Sequence, residues 1–211
     1  MEKLCVASEE QEILSKFNVS VSKGDKVLIK GRSGIGKTTL FRLILGFRLP
    51  VAGDIYFEGK KIDPQLAWYL RKKVTHISQN SDIGEGLVRD MIEEIFSYNA
   101  NKGILDTKEL HSLLSKLSLN KEVLDKRFEN LSGGEKQRIA IIISMLTKKE
   151  IFLLDEVTSS LDKALKKTVV EMFLNNPSWT VLAISHDTEW ERENVRIIDM
   201  ERIQEDINVC S

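Results

Sequence analysis

One nine-residue stretch combines the residue types that bind phosphate. It reads Gly31-Arg32-Ser33-Gly34-Ile35-Gly36-Lys37-Thr38-Thr39. The stretch matches the pattern G-x-x-x-x-G-K-[ST] at every fixed position. Glycines allow a tight loop to turn its backbone N–H groups toward an anion. The pattern predicts that Lys37 reaches the β- and γ-phosphates of a nucleotide and that the Thr38 hydroxyl holds Mg²⁺. The alternative is a glycine-rich turn without a ligand.

The residues on either side of this loop favour the phosphate-binding interpretation. Residues 27–29 (Val-Leu-Ile) are typical of a short buried strand that enters the loop. Leu40, Phe41 and Ile44 recur at helical spacing after it, and Gly46 ends the run. The positive end of that helix would add to the phosphate site. Strand, loop and helix therefore follow in the order that the motif requires.

A second candidate for chemistry is a pair of carboxylates. Asp155 and Glu156 come directly after residues 151–154 (Ile-Phe-Leu-Leu), which predict a buried strand. Open α/β sheets bind ligands at the carboxyl ends of their strands. Asp155 is therefore expected to support Mg²⁺ and Glu156 to polarise an attacking water. The alternative is that the two acids merely end a strand.

The stretch at residues 131–138 (Leu-Ser-Gly-Gly-Glu-Lys-Gln-Arg) opens an apolar helix. Ser132 and Glu135 have the spacing of a capping box. A cap does not explain Gly133 and Gly134, because glycine in a helix costs about 1 kcal/mol relative to alanine. Two glycines are reasonable where an anion must approach the helix N-terminus closely.

In these motifs the chain resembles the ABC-type ATPases. Residues 131–138 match the family's signature, and the loop at 31–38 is in the matching place. The resemblance implies that the signature of one subunit closes over the γ-phosphate held by the other. The signature residues implied to bind nucleotide are Ser132, Gly133, Gly134 and Glu135.

Three further matches follow from the resemblance. Gln79 corresponds to a glutamine that touches Mg²⁺ and links to the helical part. His186, which follows a strand pattern 31 residues after Asp155, corresponds to the switch histidine that contacts the γ-phosphate. Residues 160–162 (Ser-Leu-Asp) resemble the family's dimer-contact loop, and this assigns Asp162 to the nucleotide interface. The residues alone leave open that Ser159 and Asp162 form a capping box.

The resemblance and the pattern of apolar residues together predict an α/β fold. It is a P-loop NTPase core with a parallel sheet, a small antiparallel β subdomain and an inserted helical subdomain. The whole chain, 1–211, is expected to be one ABC ATPase domain. Residues 1–80 and 147–211 would form the α/β core with the antiparallel subdomain, and 81–146 the helical subdomain. Trp68 and Tyr69 are interpreted as packing residues of a helix opened by Pro64.

Composition narrows the setting of this domain. The chain of 211 residues carries a net charge of −1, which gives no basic field for nucleic acid. Its longest apolar run is far shorter than the roughly 20 residues of a membrane span. No apolar signal segment follows Met1, so secretion is not expected. Cys5 and Cys210 lack metal-ligand spacing and fit a reducing cytosol.

The motifs and the family resemblance together predict an ATP-binding and ATP-hydrolysing subunit of an ABC transporter. The resemblance implies that it uses Mg²⁺ and dimerises head-to-tail. A separate membrane permease would hold it at the inner face of the cell membrane. The sequence at 155–158 (Asp-Glu-Val-Thr) resembles subunits of the iron-export or metal-resistance kind. A groove at 79–96, closed by 128–130, is expected to take the permease, with Ile83, Leu87 and Val88 in it or packed beneath it.

Several alternatives and one departure remain at this stage. The alternatives are a non-transport ABC ATPase in DNA repair or translation, a P-loop kinase, and a nucleotide-binding module without turnover. The departure concerns the base. The family usually has an aromatic residue about 25 positions before the loop, whereas this chain has Val6 and Ala7 there. The sequence therefore predicts loose adenine binding and weak discrimination between bases.

Overall fold

The computed structural model describes residues 2–7, 12–50, 52–98 and 105–202, with 2–7 and 12–17 described by their backbone. The thiols of Cys5 and Cys210 and the side chains of Val6 and Ala7 lie outside this description. The strands within these ranges are β1 Glu2–Ala7, β2 Glu12–Phe17, β3 Lys26–Lys30, β4 Ala52–Asp54, β5 Tyr56–Phe57, β6 Lys60–Lys61, β7 Val74–Ile77, β8 Ile151–Asp155, β9 Thr180–Ile184 and β10 Arg196–Asp199. The α-helices there are α1 Lys37–Ile44, α2 Pro64–Lys73, α3 Val88–Ser97, α4 Thr107–Lys116, α5 Gly133–Leu146 and α6 Lys163–Leu174. Single 3₁₀ turns occupy Lys121–Asp125, Phe128–Asn130 and Thr188–Trp190.

Five parallel strands form the central sheet in the order β10-β3-β9-β8-β7. All five residues of β9 are buried, as expected for a strand covered on both faces. The register pairs Asp155 with Ile184, so β8 and β9 end at the same edge of the sheet. The predicted α/β fold with a parallel sheet is confirmed. Its consequence is that the residues following β8 and β9 share one edge with the loop after β3.

The expected antiparallel part is also present. Strands β2, β1 and β4 form a three-stranded antiparallel sheet, and β5 and β6 form a hairpin. The hairpin turns at Glu58 and Gly59, which both have positive φ, the backbone shape favoured in two-residue hairpin loops. The turn is therefore two residues long, and Lys60 and Lys61 belong to β6.

Helices α3, α4 and α5 fill the region between β7 and β8. Helix α5 is buried along most of its length. One cluster of buried apolar side chains runs from α3 and α4 through α5 to β8 and α6. The helical region therefore shares a core with the sheet, and the boundaries at 80/81 and 146/147 stay a prediction. No helix among the described residues is long and apolar enough to cross a membrane.

One local expectation is largely wrong, and one alternative left open is excluded. Helix α2 does begin at Pro64 and buries Ala67 and Leu70, but Trp68 and Tyr69 are exposed, and only Tyr69 of the two packs on another ring, that of Phe57 at 6.5 Å. Asp162 caps α6 by itself, since its carboxylate accepts the Leu165 N–H at 3.0 Å. The Ser159 hydroxyl donates instead to the Glu156 carbonyl at 2.8 Å, so these residues do not form a capping box.

Candidate active site

The predicted phosphate loop joins β3 to α1, and its backbone requires glycine. Gly36 has φ of 105° and occupies the N-cap position of α1. At Gly31, φ is 146° and a Cβ atom would lie 3.0 Å from a methyl group of Ile35. Ile35 itself is buried in the core beneath the loop. A side chain at either glycine would strain the loop, whereas Ile35 anchors it.

Lys37 lies across the mouth of this loop. Its ammonium donates to the carbonyl of Gly31 at 2.5 Å and to that of Arg32 at 3.0 Å. The Arg32 N–H donates to the carboxylate of Glu201 at 2.5 Å. No sequence motif pointed to Glu201, which follows β10 at the far end of the chain. The loop is thus tied to the chain after β10, and its lysine is held by two of the loop's own carbonyl groups.

The first residue of α1 to face the second motif is Thr38. Its hydroxyl donates to Asp155 Oδ2 at 2.7 Å. Asp155 is only 4% exposed. Hydroxyl and carboxylate oxygens are hard ligands of the kind that Mg²⁺ prefers. Among the described residues, no group of three or more His, Cys, Asp or Glu side chains is arranged around a metal site. The Thr38 hydroxyl and the Asp155 carboxylate nevertheless offer oxygen ligands that suit that ion.

Glu156 stands at the centre of the site in an unusual backbone shape. Its φ is 52°, the left-handed region that non-glycine residues rarely adopt. Its N–H is held by the Ile184 carbonyl at 2.9 Å, and its Oε1 lies 3.6 Å from Nε2 of His186. Burial raises the pKa of the Glu156 carboxyl, while His186 and Lys37 oppose that shift. A strained, half-buried carboxyl beside a histidine has the features of a catalytic base.

A hydrogen-bonded network supports Glu156 and His186 from behind. Asp187 accepts from the Thr158 hydroxyl at 2.7 Å and from the Lys166 ammonium at 2.5 Å. Trp190 donates its indole N–H to the Thr158 hydroxyl at 3.2 Å. The network ties the loop after β8 to the loop after β9. One hint of it is present in the sequence, because Asp187 directly follows His186. No pattern pointed to Lys166.

Most of the predicted residues of the α/β core converge on one cleft of about 580 Å³. Its lining residues are Ser33, Gly34, Gly36, Lys37, Thr38, Thr39, Gln79, Asp155, Glu156, Ser159, Lys166, His186 and Asp187. Gln79 therefore shares the cleft with Asp155. The predicted nucleotide-binding residues outside this lining are Gly31, Arg32, Ile35, Asp162 and the four signature residues.

Unlike the cleft residues, the signature residues bond mainly to one another at the start of α5. Ser132 and Glu135 form the predicted capping box, in which the Glu135 carboxylate accepts from the Ser132 N–H and hydroxyl, both at 2.9 Å. These bonds lower the pKa of Glu135, the backbone N–H contributing most. Gly133 faces open space. A Cβ on Gly134 would lie 3.2 Å from the Ser160 carbonyl, so packing also explains this glycine.

The loop between β3 and α1, the Thr38–Asp155 contact and Glu156 at one edge of a parallel sheet form the arrangement expected of a P-loop protein that hydrolyses nucleotides. Comparison with known proteins narrows the class. The model of the ABC transporter family matches residues 14–159. The probable iron export ATP-binding protein FetA of Escherichia coli is 31% identical over 183 residues, covering 85% of this chain and 80% of the relative.

Two solved structures share the fold. A dimeric post-hydrolysis structure of the ATP-binding cassette MJ0796, bound to ADP and Pi, is 24% identical. It has a TM-score of 0.78 over 94% of this chain and 92% of that one. CbiO1 of Clostridium perfringens, part of the ABC transporter complex CbiONQ, is 22% identical. Its TM-score is 0.73 over 99% of this chain and 90% of that one.

The chain belongs to the ABC transporter family. It is an ATP-binding ATPase subunit, and the transport interpretation is better supported than a non-transport ATPase. The resemblance in the sequence is thereby confirmed.

Proposed function

We propose that ATP with Mg²⁺ binds in the cleft at the carboxyl edge of the sheet and is hydrolysed there. The observation that carries this is the 2.7 Å contact between the Thr38 hydroxyl and Asp155, made beside Glu156 and His186. The loop from Gly31 to Thr39 surrounds the phosphates, with Lys37 on the β- and γ-phosphates. A bound Mg²⁺ supplies charge neutralisation of the phosphates. Thr38, Gln79 and Asp155 would hold it.

In this proposal Glu156 and His186 perform the chemistry. Glu156 accepts a proton from the attacking water, and burial keeps its basicity above that of an ordinary glutamate. His186, whose side chain is largely exposed in the cleft, contacts the γ-phosphate. Asp187 and Lys166 hold the two loops in register. ATP is thus positioned by the loop and cleaved by groups from two neighbouring strands.

We further propose a head-to-tail homodimer in which each cleft is completed by the partner's signature. Within one chain, Ser132 to Glu135 lie outside the cleft lining. Gly133 opens to space at a helix N-terminus, where an anion is favoured. Asp162, as the cap of α6, ends the loop that would lie at the dimer contact. Each nucleotide would therefore be bound between two chains.

Mixing two inactive variants tests this arrangement. Lys37→Ala removes phosphate binding, and Ser132→Asp keeps a good helix cap but places a negative charge where the phosphate would lie. In a head-to-tail dimer of one variant with the other, one site has both an intact loop and an intact signature. We expect each variant alone to be nearly inactive and their mixture to recover a substantial part of wild-type ATPase activity.

The controls decide between a shared site and a site within one chain. Each variant should keep the wild-type melting profile, and mixing either variant with itself should restore nothing. No recovery in the mixture, although the two variants form a dimer, would refute the shared site. Specific activity that stays flat on wide dilution, without a stable dimer, would also contradict it.

We propose that the permease docks in a groove between β7 and the helices. This groove, of about 230 Å³, is lined by His76, Ser78, Asn80, Ser81, Ile83, Ile95, Ala140, Ile143, Ser144 and neighbouring residues of β7. Ile83 is partly exposed within it. Val88 is fully buried and so packs the core, and Leu87 lies outside the lining. A short permease helix would place its apolar side against Ile83.

The docking site is tested by co-purification with the membrane protein encoded beside this chain. Ile83→Asp should weaken that association, whereas Leu87→Asp, at a position of similar exposure outside the groove, should not. Both variants should keep ATPase activity. If Ile83→Asp retains the permease as well as wild type does, the docking site lies elsewhere. Such a partner would hold the chain at the inner face of the cell membrane and determine the cargo.

A further inference from the structure

The solvent side of α2 carries aromatic residues that the active site does not use. Trp68 and Tyr69 are 58% and 43% exposed. In the loop that follows α1, Phe47 and Leu49 are 67% and 78% exposed. Large apolar side chains exposed in a group mark an interaction surface more often than isolated ones do. None of these four residues lines the cleft.

Helix α2 and the loop form one continuous surface. Gly46, at the end of α1, packs so closely on α2 that a Cβ there would lie 2.6 Å from Cβ of Ala67. The Arg71 guanidinium donates to the Leu45 carbonyl at 2.8 Å and lies 5.2 Å from the ring of Phe47. These contacts fix Phe47 beside α2. We call Phe47, Leu49, Trp68, Tyr69 and Lys72 the aromatic–basic face.

Positive charge is concentrated on the same surface. Residues 47–73 contain six lysine and arginine residues against three carboxylates, in a chain whose net charge is −1. Helix α2 itself contains no aspartate or glutamate. The Lys72 ammonium lies 3.3 Å from the ring centre of Trp68, and the Lys73 ammonium 4.6 Å from that of Tyr69. Lys73 also pairs with Glu58 at 3.0 Å. Each of these two cations thus pairs with an aromatic ring one turn before it on the exposed side.

We propose that the aromatic–basic face binds the anionic phospholipid headgroups of a membrane. Tryptophan and tyrosine rings favour the interface between headgroups and acyl chains. Lysines beside them are attracted to anionic lipid, and their long stems let the charge stay in the polar layer. An acidic protein would match the lysines but would not need Phe47 and Leu49. This contact is separate from the permease groove and does not depend on the proposed dimer.

Tryptophan fluorescence reports on this face directly. The chain has three tryptophans, of which Trp190 is fully buried and Trp179 is half-buried. Vesicles of phosphatidylglycerol and phosphatidylcholine should shift the emission to the blue and protect Trp68 from iodide quenching. Vesicles of phosphatidylcholine alone should have little effect. Trp68→Phe should remove the spectral change, while sedimentation with anionic vesicles persists at reduced affinity.

Charge variants distinguish binding through this face from a general electrostatic attraction of the protein to anionic vesicles. Each lysine near an anionic surface contributes about fivefold to binding. Lys72→Glu with Lys73→Glu should therefore lower vesicle affinity at least about tenfold. The matched control, Lys108→Glu with Lys116→Glu, makes the same charge change at exposed positions on α4 and should stay within about twofold. All of these variants should keep ATPase activity.

Three results would overturn the proposal. The first is equal binding to anionic and neutral vesicles, or no binding to either. The second is an equal loss of affinity in the α4 control. The third is a Trp68 that iodide still quenches fully when vesicles are bound, or that is protected by the detergent-solubilised permease but not by vesicles. In that last case the face is a protein interface.

Discussion

The cleft and the signature place functional residues in opposite ways. In the cleft, four parts of the chain bring Lys37, Gln79, Asp155, Glu156 and His186 together around one cavity. The signature is a single helix start whose capping box pairs the N–H groups of Ser132 and Glu135. The fold thus brings the first region together within one chain and presents the second at the surface. Convergent groups are positioned by the chain that carries them, whereas an exposed helix start acts on whatever approaches it.

The largest effect is expected from Glu156→Gln, which tests whether the cleft supplies the catalytic base. The amide nearly preserves the shape of the carboxylate but cannot accept a proton, and loss of a general base lowers turnover by about 10²–10⁴-fold. ATP binding should change little, and an ATP-dependent dimer should accumulate in size-exclusion chromatography. The control is Glu150→Gln, just before the opposite end of β8. Hydrolysis by Glu156→Gln at the parent rate would exclude Glu156 as the base.

A smaller effect is expected from the network behind the cleft. Asp187→Asn weakens the bonds to Thr158 and Lys166, which should misalign Glu156 and His186 and lower kcat about tenfold. The KM for ATP should stay nearly unchanged, because the phosphate loop is not touched. Lys166→Met should show the same split, and Lys166→Arg should restore most of kcat. A parallel rise in KM would indicate a general loss of structure instead.

The same cleft should bind the nucleotide base less selectively than it binds the phosphates. Without an aromatic residue near Val6, stacking that contributes about 1–3 kcal/mol per base in other settings is missing. We therefore expect GTP to compete with ATP within about tenfold in a nucleotide-displacement assay. A preference for ATP of a hundredfold or more would mean that another side chain holds the base.

The smallest predicted effect is on stability. The folded protein raises the pKa of Glu156 above its unfolded value, so ionising it in the fold is unfavourable. Wild type should lose stability relative to Glu156→Gln as pH rises from the unfolded pKa through the folded one, and the gap should then stay constant. At pH 7 we expect Glu156→Gln to melt at a higher temperature than wild type, and thermal unfolding followed across the pH range measures this gap. A gap that widens toward acid pH would contradict the sign.

The sequence was informative where chemistry requires a local pattern. The phosphate loop and the Asp155–Glu156 pair could be predicted because each directly follows a buried strand. His186 and Gln79 needed the family resemblance, since a single polar residue after a strand is common. Glu201 and Lys166 carry no local pattern, because they meet the site from distant parts of the chain.

The failure at Trp68 and Tyr69 has a geometric cause. Residues 66–70 are five apolar residues in a row, but a helix turns 100° per residue. Only Ala67 and Leu70 can face the core, so the residues between them must face outward. The apolar composition favoured packing for both rings. Their positions around the helix axis instead place them on the solvent side.

The pairing of β3 has a consequence for how the chain is made. This strand supports the phosphate loop near the start of the sequence, yet its two neighbours, β9 and β10, come from the far end. A nascent chain emerging from the ribosome therefore displays the loop long before that strand has any partner. Pairing between such distant segments is slow and leaves an unpaired edge in the meantime. A fragment ending before β9 would contain the phosphate loop and the Asp155–Glu156 pair. It would still lack β9 and β10, the two strands that pair with β3 and so support the loop.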